Sequence, residues 1–115
     1  MIRGMPTTDA ARSTFVVLRS HGSAWQANVA MRGQLAWDAH AVFMNGLARD
    51  GFIVLGGPFG DGERTLLVVE AASAEAVRKR LEPDPWTIMN LLQIDSITPW
   101  QILLARADAA QQRPA

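Results

Sequence analysis

His40 is the residue in this chain with the most chemical promise. An imidazole titrates near neutrality, so one ring can take up and return a proton at ordinary pH. It sits in the middle of an apolar stripe at helical spacing, which aims it at whatever lies between helix and sheet. The same placement suits a structural histidine bonded to a backbone carbonyl. Asp84 precedes Pro85, and its simplest role is an N-cap accepting from the amide of Trp86 or Thr87. The two roles are compatible. One carboxylate oxygen can cap while the other orients an imidazole, fixing its tautomer and favouring its protonated form.

Other residues could complete a site. His21 follows the first apolar run, where a sheet end meets loops, and reads either as a pocket group or as an exposed loop histidine. With His40 and Asp84 it has the composition of a two-histidine, one-carboxylate triad, but the wide separations carry no ligand-spacing signal and no metal is expected. Arg19 reads as a partner for an anionic substrate or as a surface charge. Gly56-Gly57-Pro58 matches neither a phosphate loop nor a dinucleotide fingerprint, since no helix follows it. It implies close backbone approach, with Gly57 and Pro58 beside a ligand and the amides near Gly56 and Gly57 available to steady an oxyanion. Trp25, Trp86 and Trp100 read as core or subunit contacts or as the apolar walls of a pocket, Trp86 being the one assigned to substrate.

Composition narrows the chemistry. The chain has 115 residues, enough for one domain, with 49% apolar and 19% charged residues. Eleven basic and eleven acidic side chains cancel, leaving no basic footprint for nucleic acid. The absence of cysteine removes disulfides, zinc–thiolate sites and thiol nucleophiles together. No apolar run approaches the ~18 residues of a membrane span, and no secretory signal is evident at the N-terminus. A cytoplasmic protein without membrane contact is expected.

The elements that must position these residues follow from periodicity. Residues 1–13 read as a loose leader and 105–115 as a fraying tail, leaving a single domain over 14–104. Phe15–Leu18 is a first strand, broken by loop residues from Arg19 to Ser23. From Met31 to Asp50 the period is helical: Ala36, His40, Phe43, Met44 and Leu47 share one face. Gly33 would lie on that face, leaving space, and Gly51 ends the helix. Phe52–Leu55 is a second strand, ended or bent by Gly56-Gly57-Pro58, and the Asp61-Gly62 turn leads to a third strand over 65–69. Ser73 caps a helix over 74–81, and Asp84-Pro85 opens a short helix to about Leu92. Ile94–Leu104 is the last strand, with Pro99 marking an edge or a bulge.

The order is β-α-β-β-α-(α)-β. That predicts an α+β fold of the ferredoxin-like kind, a four-stranded antiparallel sheet with helices on one face. The strands are apolar on both faces, as in Val16-Val17, Ile53-Val54 and Leu67-Val68, so a second sheet is expected to cover the far face, in a homodimer.

Arg32, His40, Gly51, Gly56-Gly57-Pro58, Asp84-Pro85 and Ile97-Thr98-Pro99-Trp100, taken as an ordered set, resemble the YCII-related family over residues 14–104. That family belongs to the dimeric α+β barrel superfamily, with muconolactone isomerases and cofactor-free monooxygenases. The resemblance implies a homodimer with a pocket in each subunit, no cofactor, and a His–Asp pair at His40 and Asp84. One member of the family dehydrochlorinates a chlorinated hydroxyquinol. This chain departs from the commoner pattern in its long loop after strand one, carrying His21 and Trp25, and in Trp86, where Phe or Tyr is more usual. The expected activity is acid/base isomerisation or elimination on a small enolisable or phenolic molecule. The alternative is a non-catalytic dimeric binding or interaction module in which His40 is core and Asp84 only a cap.

Overall fold

The computed structural model describes residues 12–107. In chain order the elements are β1 (Ser13–His21), a 3-10 turn (Met31–Gly33), α1 (Trp37–Arg49), β2 (Ile53–Phe59), β3 (Arg64–Ala71), α2 (Ala74–Leu81), α3 (Pro85–Ile88) and β4 (Leu92–Pro99). The four strands form one sheet in the order β2-β3-β1-β4, and every neighbouring pair is antiparallel. That α+β arrangement is compatible with a ferredoxin-like fold.

Strict alternation along β1 sorts the sheet into two faces. Phe15, Val17 and Arg19 are buried, while Val16, Leu18 and Ser20 are only half-buried. Phe15 and Val17 join Leu67, Val69 and Ala71 of β3 in the main core, closed by Leu47 of α1 and by Val77 and Leu81 of α2. The opposite face carries Val16, Leu18, Leu66 and Val68, and it contributes nothing to that cluster.

Two bulges adjust the edges. On β4 the register slips at Asp95, so Ile94 and Ile97 both reach the core although three residues separate them. This explains the imperfect alternation of the last strand, and it puts the irregularity at Asp95. Pro99 instead ends β4, which is an edge strand as expected. On β2 the slip falls at Val54.

Local signals at helix ends are well realised. Ser73 accepts from the amide of Ala76 and caps α2. Gly51, at φ 87°, turns the chain out of α1 into β2. Other expected boundaries moved. The helix expected from Met31 begins at Trp37, because residues 26–34 are claimed by a side chain: the buried Gln34 amide donates to the carbonyls of Gln26 and Val29 and accepts from the Gln26 amide. Ala36 therefore belongs to no helical face; it is the α1 N-cap, in the left-handed conformation. Gly33 lies in the 3-10 turn, not beside His40, and a Cβ there would press on Val29.

β1 continues through Arg19, Ser20 and His21, where loop residues were expected, because β4 pairs with all three and β3 with the first two. Gly56-Gly57-Pro58 lies within β2 and does not end it, since an edge strand tolerates a proline without an amide. α3 stops at Ile88, and β4 stops short of Leu104. Of the expected tails, Ser13 already belongs to β1, while 1–11 and 108–115 lie outside the described residues.

Candidate functional site

α1 and α3 bring His40 and Asp84 together. His40 Nδ1 lies 2.8 Å from Asp84 Oδ1 and 3.0 Å from Oδ2. Asp84 is fully buried and accepts two further hydrogen bonds, from the Trp86 amide to Oδ1 at 3.0 Å and from Arg19 Nη2 to Oδ2 at 2.6 Å. The carboxylate is thus at once the cap of α3 and the centre of a buried Arg19–Asp84–His40 constellation.

Burial alone would raise the Asp84 pKa. The hydrogen bond from His40, the positive charges of Arg19 and His40 and the Trp86 amide outweigh it and hold the carboxyl below its ordinary value of 3.8. An ionised carboxylate can only accept, so Nδ1 of His40 is the protonated nitrogen in this contact. In the neutral ring the lone pair then resides on Nε2. Nε2 makes no hydrogen bond among the described residues, yet it is absent from the sealed, unsatisfied atoms, which are Arg19 Nε and Thr87 Oγ1. It keeps access to the cavity that His40 lines.

That cavity, about 500 Å³ in volume, lies between α1 and the helix-side face of β1, β2 and β3. Trp37, His40, Met44 and Ala48 reach it from one face of α1; Gly56 and Pro58 reach it from β2, and Thr65 and Leu67 from β3. A Cβ at Gly56 would stand 2.6 Å from Leu67 Cδ2, so that buried leucine would have to shift to admit one. Among the described residues no carboxylate lines the cavity, and the ionisable groups on its wall are Arg19, His21 and His40.

Three of the four tryptophans wall it. Trp86 stacks on the His40 ring at 3.8 Å with 8° between planes, and its Nε1 donates to the Leu35 carbonyl at 2.6 Å. Trp25 meets Trp86 edge-on at 5.5 Å, and Trp37 sits 5.7 Å from Trp86. His21 stacks on Trp25 at 3.8 Å. Imidazole and indole are so clamped in one orientation, with His40 pinned from below by Asp84.

The residues assigned to catalysis or substrate from the sequence fall on this one site, whereas Trp100, just past the end of β4, does not line it. His21, Gly57, Pro58 and Trp86 line the cavity, as does His40, with Asp84 immediately behind it. Arg19 also reaches the wall, but it is 1% exposed, with Nη2 committed to Asp84 and Nη1 3.8 Å from Met44 Sδ. Its first partner is therefore a carboxylate of the protein. His21 does not join His40 and Asp84 as a third ligand; among the described residues no three His, Asp or Glu groups are gathered closely enough to hold a metal ion.

Two supporting residues were not foreseen. Gln34 fastens the loop that carries Trp25, and nothing marks it in a segment that reads as helix from Met31. Gly22 lets that loop dock: its amide donates to Leu91 at 2.9 Å, and a Cβ would collide with the Asn90 carbonyl.

Among the described residues no helix is long and apolar enough to cross a membrane. No family model, curated protein or solved structure matches the chain in the three comparisons made, so the constellation itself is the evidence on which a function can be argued.

Proposed function

We propose that the protein is a small cofactor-free enzyme of the YCII type, a lyase or isomerase in which His40 is the proton-transferring group and Asp84 its positioning residue. The observation that carries this reading is the 2.8 Å contact between His40 Nδ1 and a fully buried carboxylate, beside a cavity to which Nε2 keeps access. Arg19 keeps Asp84 ionised, Asp84 holds the proton on Nδ1, and Nε2 is left as the base. Taking a proton at Nε2 makes an imidazolium whose charge the carboxylate stabilises where it forms, without rearrangement. The bound proton can then be returned to another atom of the same molecule, or leave with an eliminated group.

The wall chemistry supports a small, flat, largely apolar substrate with an acidic proton, an enolisable or phenolic molecule. Indole faces take its body, and the lack of lining carboxylates among the described residues suits the negative charge that develops when the proton leaves. We place the enzyme in a homodimer packed through the helix-free face of the sheet, where Val16, Leu18 and Leu66 are left half-buried.

Screening small aromatic and enolic acids by thermal shift identifies the ligand, since binding raises apparent stability by mass action. His40→Gln should then bind that ligand and remain folded, but lose turnover by about 100-fold or more, the usual share of a general base. Full turnover in that variant would overturn the reading and favour a binding module in which His40 is structural.

A further inference from the structure

The Arg19 guanidinium has more donors than the protein itself uses. It carries five N–H groups. Asp84 Oδ2 accepts from Nη2 at 2.6 Å. Nε is buried with no acceptor, and Nη1 meets only Met44 Sδ, at 3.8 Å. A thioether is a weak acceptor. Arg19 makes no other hydrogen bond or ion pair among the described residues. If the need were only for a cation that keeps Asp84 ionised, a lysine would meet it without burying open donors.

The open donor is placed where a reacting molecule would need it. Arg19, His40 and Met44 all line the one cavity. Met44 stands one turn beyond His40 on the same face of α1, about 6 Å along the helix. Its side chain is unbranched, flexible and only half-buried, so it can swing away from Nη1 and open the guanidinium to the cavity.

We infer that Arg19 Nη1 is an oxyanion subsite: it receives the substrate oxygen on which negative charge collects, and Met44 is the placeholder which that oxygen displaces. The inference rests on the acid/base reading above and names what the substrate must present, a phenolic oxygen or a carbonyl conjugated with the departing proton. His40 Nε2 takes the proton, and the electron pair left behind settles on the oxygen as a phenolate or enolate. Arg19 keeps its own protons and only donates a hydrogen bond. Charge stays balanced throughout. With His40 neutral, Arg19 and Asp84 cancel; after transfer, the imidazolium's positive charge is matched by the oxyanion one helical turn away. The bond at Nη1 strengthens as that charge develops, so it favours the transition state over the bound substrate.

Two aromatic probes test it: 4-nitrophenolate, and its methyl ether 4-nitroanisole, which cannot carry the charge. Both are titrated into the full chain by calorimetry, at a pH where the free phenol is ionised. The wild-type protein should bind the phenolate about 10-fold or more tightly than the ether, the usual effect of a hydrogen bond to a charged group. Met44→Gln leaves every buried charge in place but sets a carboxamide oxygen beside Nη1, and it should abolish most of that preference. Arg19→Lys, whose single ammonium is committed to Asp84, should do the same. His40→Gln should keep the preference, because Arg19 still holds the oxygen.

A wild-type protein that binds both probes alike, or neither, overturns the subsite and leaves the role of His40 to its own turnover test. A preference that survives both Met44→Gln and Arg19→Lys also overturns it, by placing the anion on another group. Should Arg19→Lys not fold, Met44→Gln decides alone.

Discussion

The helix-side layer holds two clusters built on opposite plans. Under α2 the core is aliphatic and phenylalanine, with Phe15, Val17, Val69, Val77 and Leu81 buried and no ion among them. A few residues further along β1 the second cluster is built from Trp86, Leu91 and Leu92, with Trp25, Met31 and Trp37 against it. Beside it lie a buried arginine, aspartate and histidine. The first needs only volume and pattern, and any well-packed apolar set can supply those. The second gains nothing from burial until all three polar groups are in place, because each is costly to bury alone. A chain that keeps both plans side by side has a core for stability and a separate, high-stakes network for holding one imidazole.

Breaking the network tests that division most strongly. Asp84→Ala would leave Arg19 buried without its carboxylate and should cost ~3–5 kcal/mol, against ~1 kcal/mol for a lost cap alone. Leu81→Ala, in the aliphatic cluster, should cost a similar ~2–5 kcal/mol through its cavity. The two are separated by pH. The folded Asp84 carboxyl has a lowered pKa, so the unfolded chain binds its proton more readily. Its contribution is complete above the ordinary value of 3.8 and is lost as pH falls through the depressed one. Urea denaturation at neutral and acid pH should therefore show that Leu81→Ala keeps the wild-type acid slope and Asp84→Ala loses part of it. Equal slopes would mean that its partners do not hold the Asp84 carboxyl below its ordinary value.

The next largest effect should come from the seam that holds the indole wall. Gly22→Ala sets a methyl group against the Asn90 carbonyl, so the loop bearing Trp25 must lift from the turn before β4. Overpacking of this kind costs ~1–3 kcal/mol. Near-ultraviolet circular dichroism should change, because Trp25 moves relative to Trp86, while far-ultraviolet spectra stay the same. An unaltered near-ultraviolet signal would show that the wall does not depend on this docking.

The two clusters also differ in how much of them could be read from the sequence. The aliphatic core follows from alternation in β1 and β3 and from the capped 74–81 helix, all local signals that the tertiary structure respects. His40 and Asp84 were each legible through helical spacing and a cap before proline. Their pairing was expected from the family resemblance and not from local signals, because contact between α1 and α3 depends on a loop whose conformation is set at long range. Gln34 overrides the helical period of 31–36: its buried amide ties back to the Gln26 and Val29 carbonyls, and 31–33 form a 3-10 turn instead of the first turn of α1. Arg19 reads as a strand-end charge because nothing local marks β1 as continuing to His21, with strands on both sides of Arg19 itself. The indole wall could be counted in the sequence, but not assembled, since Trp25, Trp37 and Trp86 meet only after that loop folds back.

The smallest effect asks whether strain is stored at the border of the second cluster. Ala36 caps α1 at φ 57° and ψ 29°, a conformation that costs a non-glycine residue ~1–2 kcal/mol. Glycine there relieves that cost, and its own loss of freedom on folding returns ~0.5–1 kcal/mol. The Ala36 methyl also packs against the Trp86 cluster, a partly buried contact worth less than the ~0.8 kcal/mol of a fully buried methylene. Ala36→Gly should therefore stabilise the protein slightly, by about 0.5 kcal/mol or less, with the wild-type acid slope retained because no ionisable group is touched. Thermal or urea denaturation resolves the sign. A loss of stability instead would mean that the methyl contact with the indoles outweighs the backbone strain, and that the second cluster is packed as tightly at its border as the aliphatic core is at its centre.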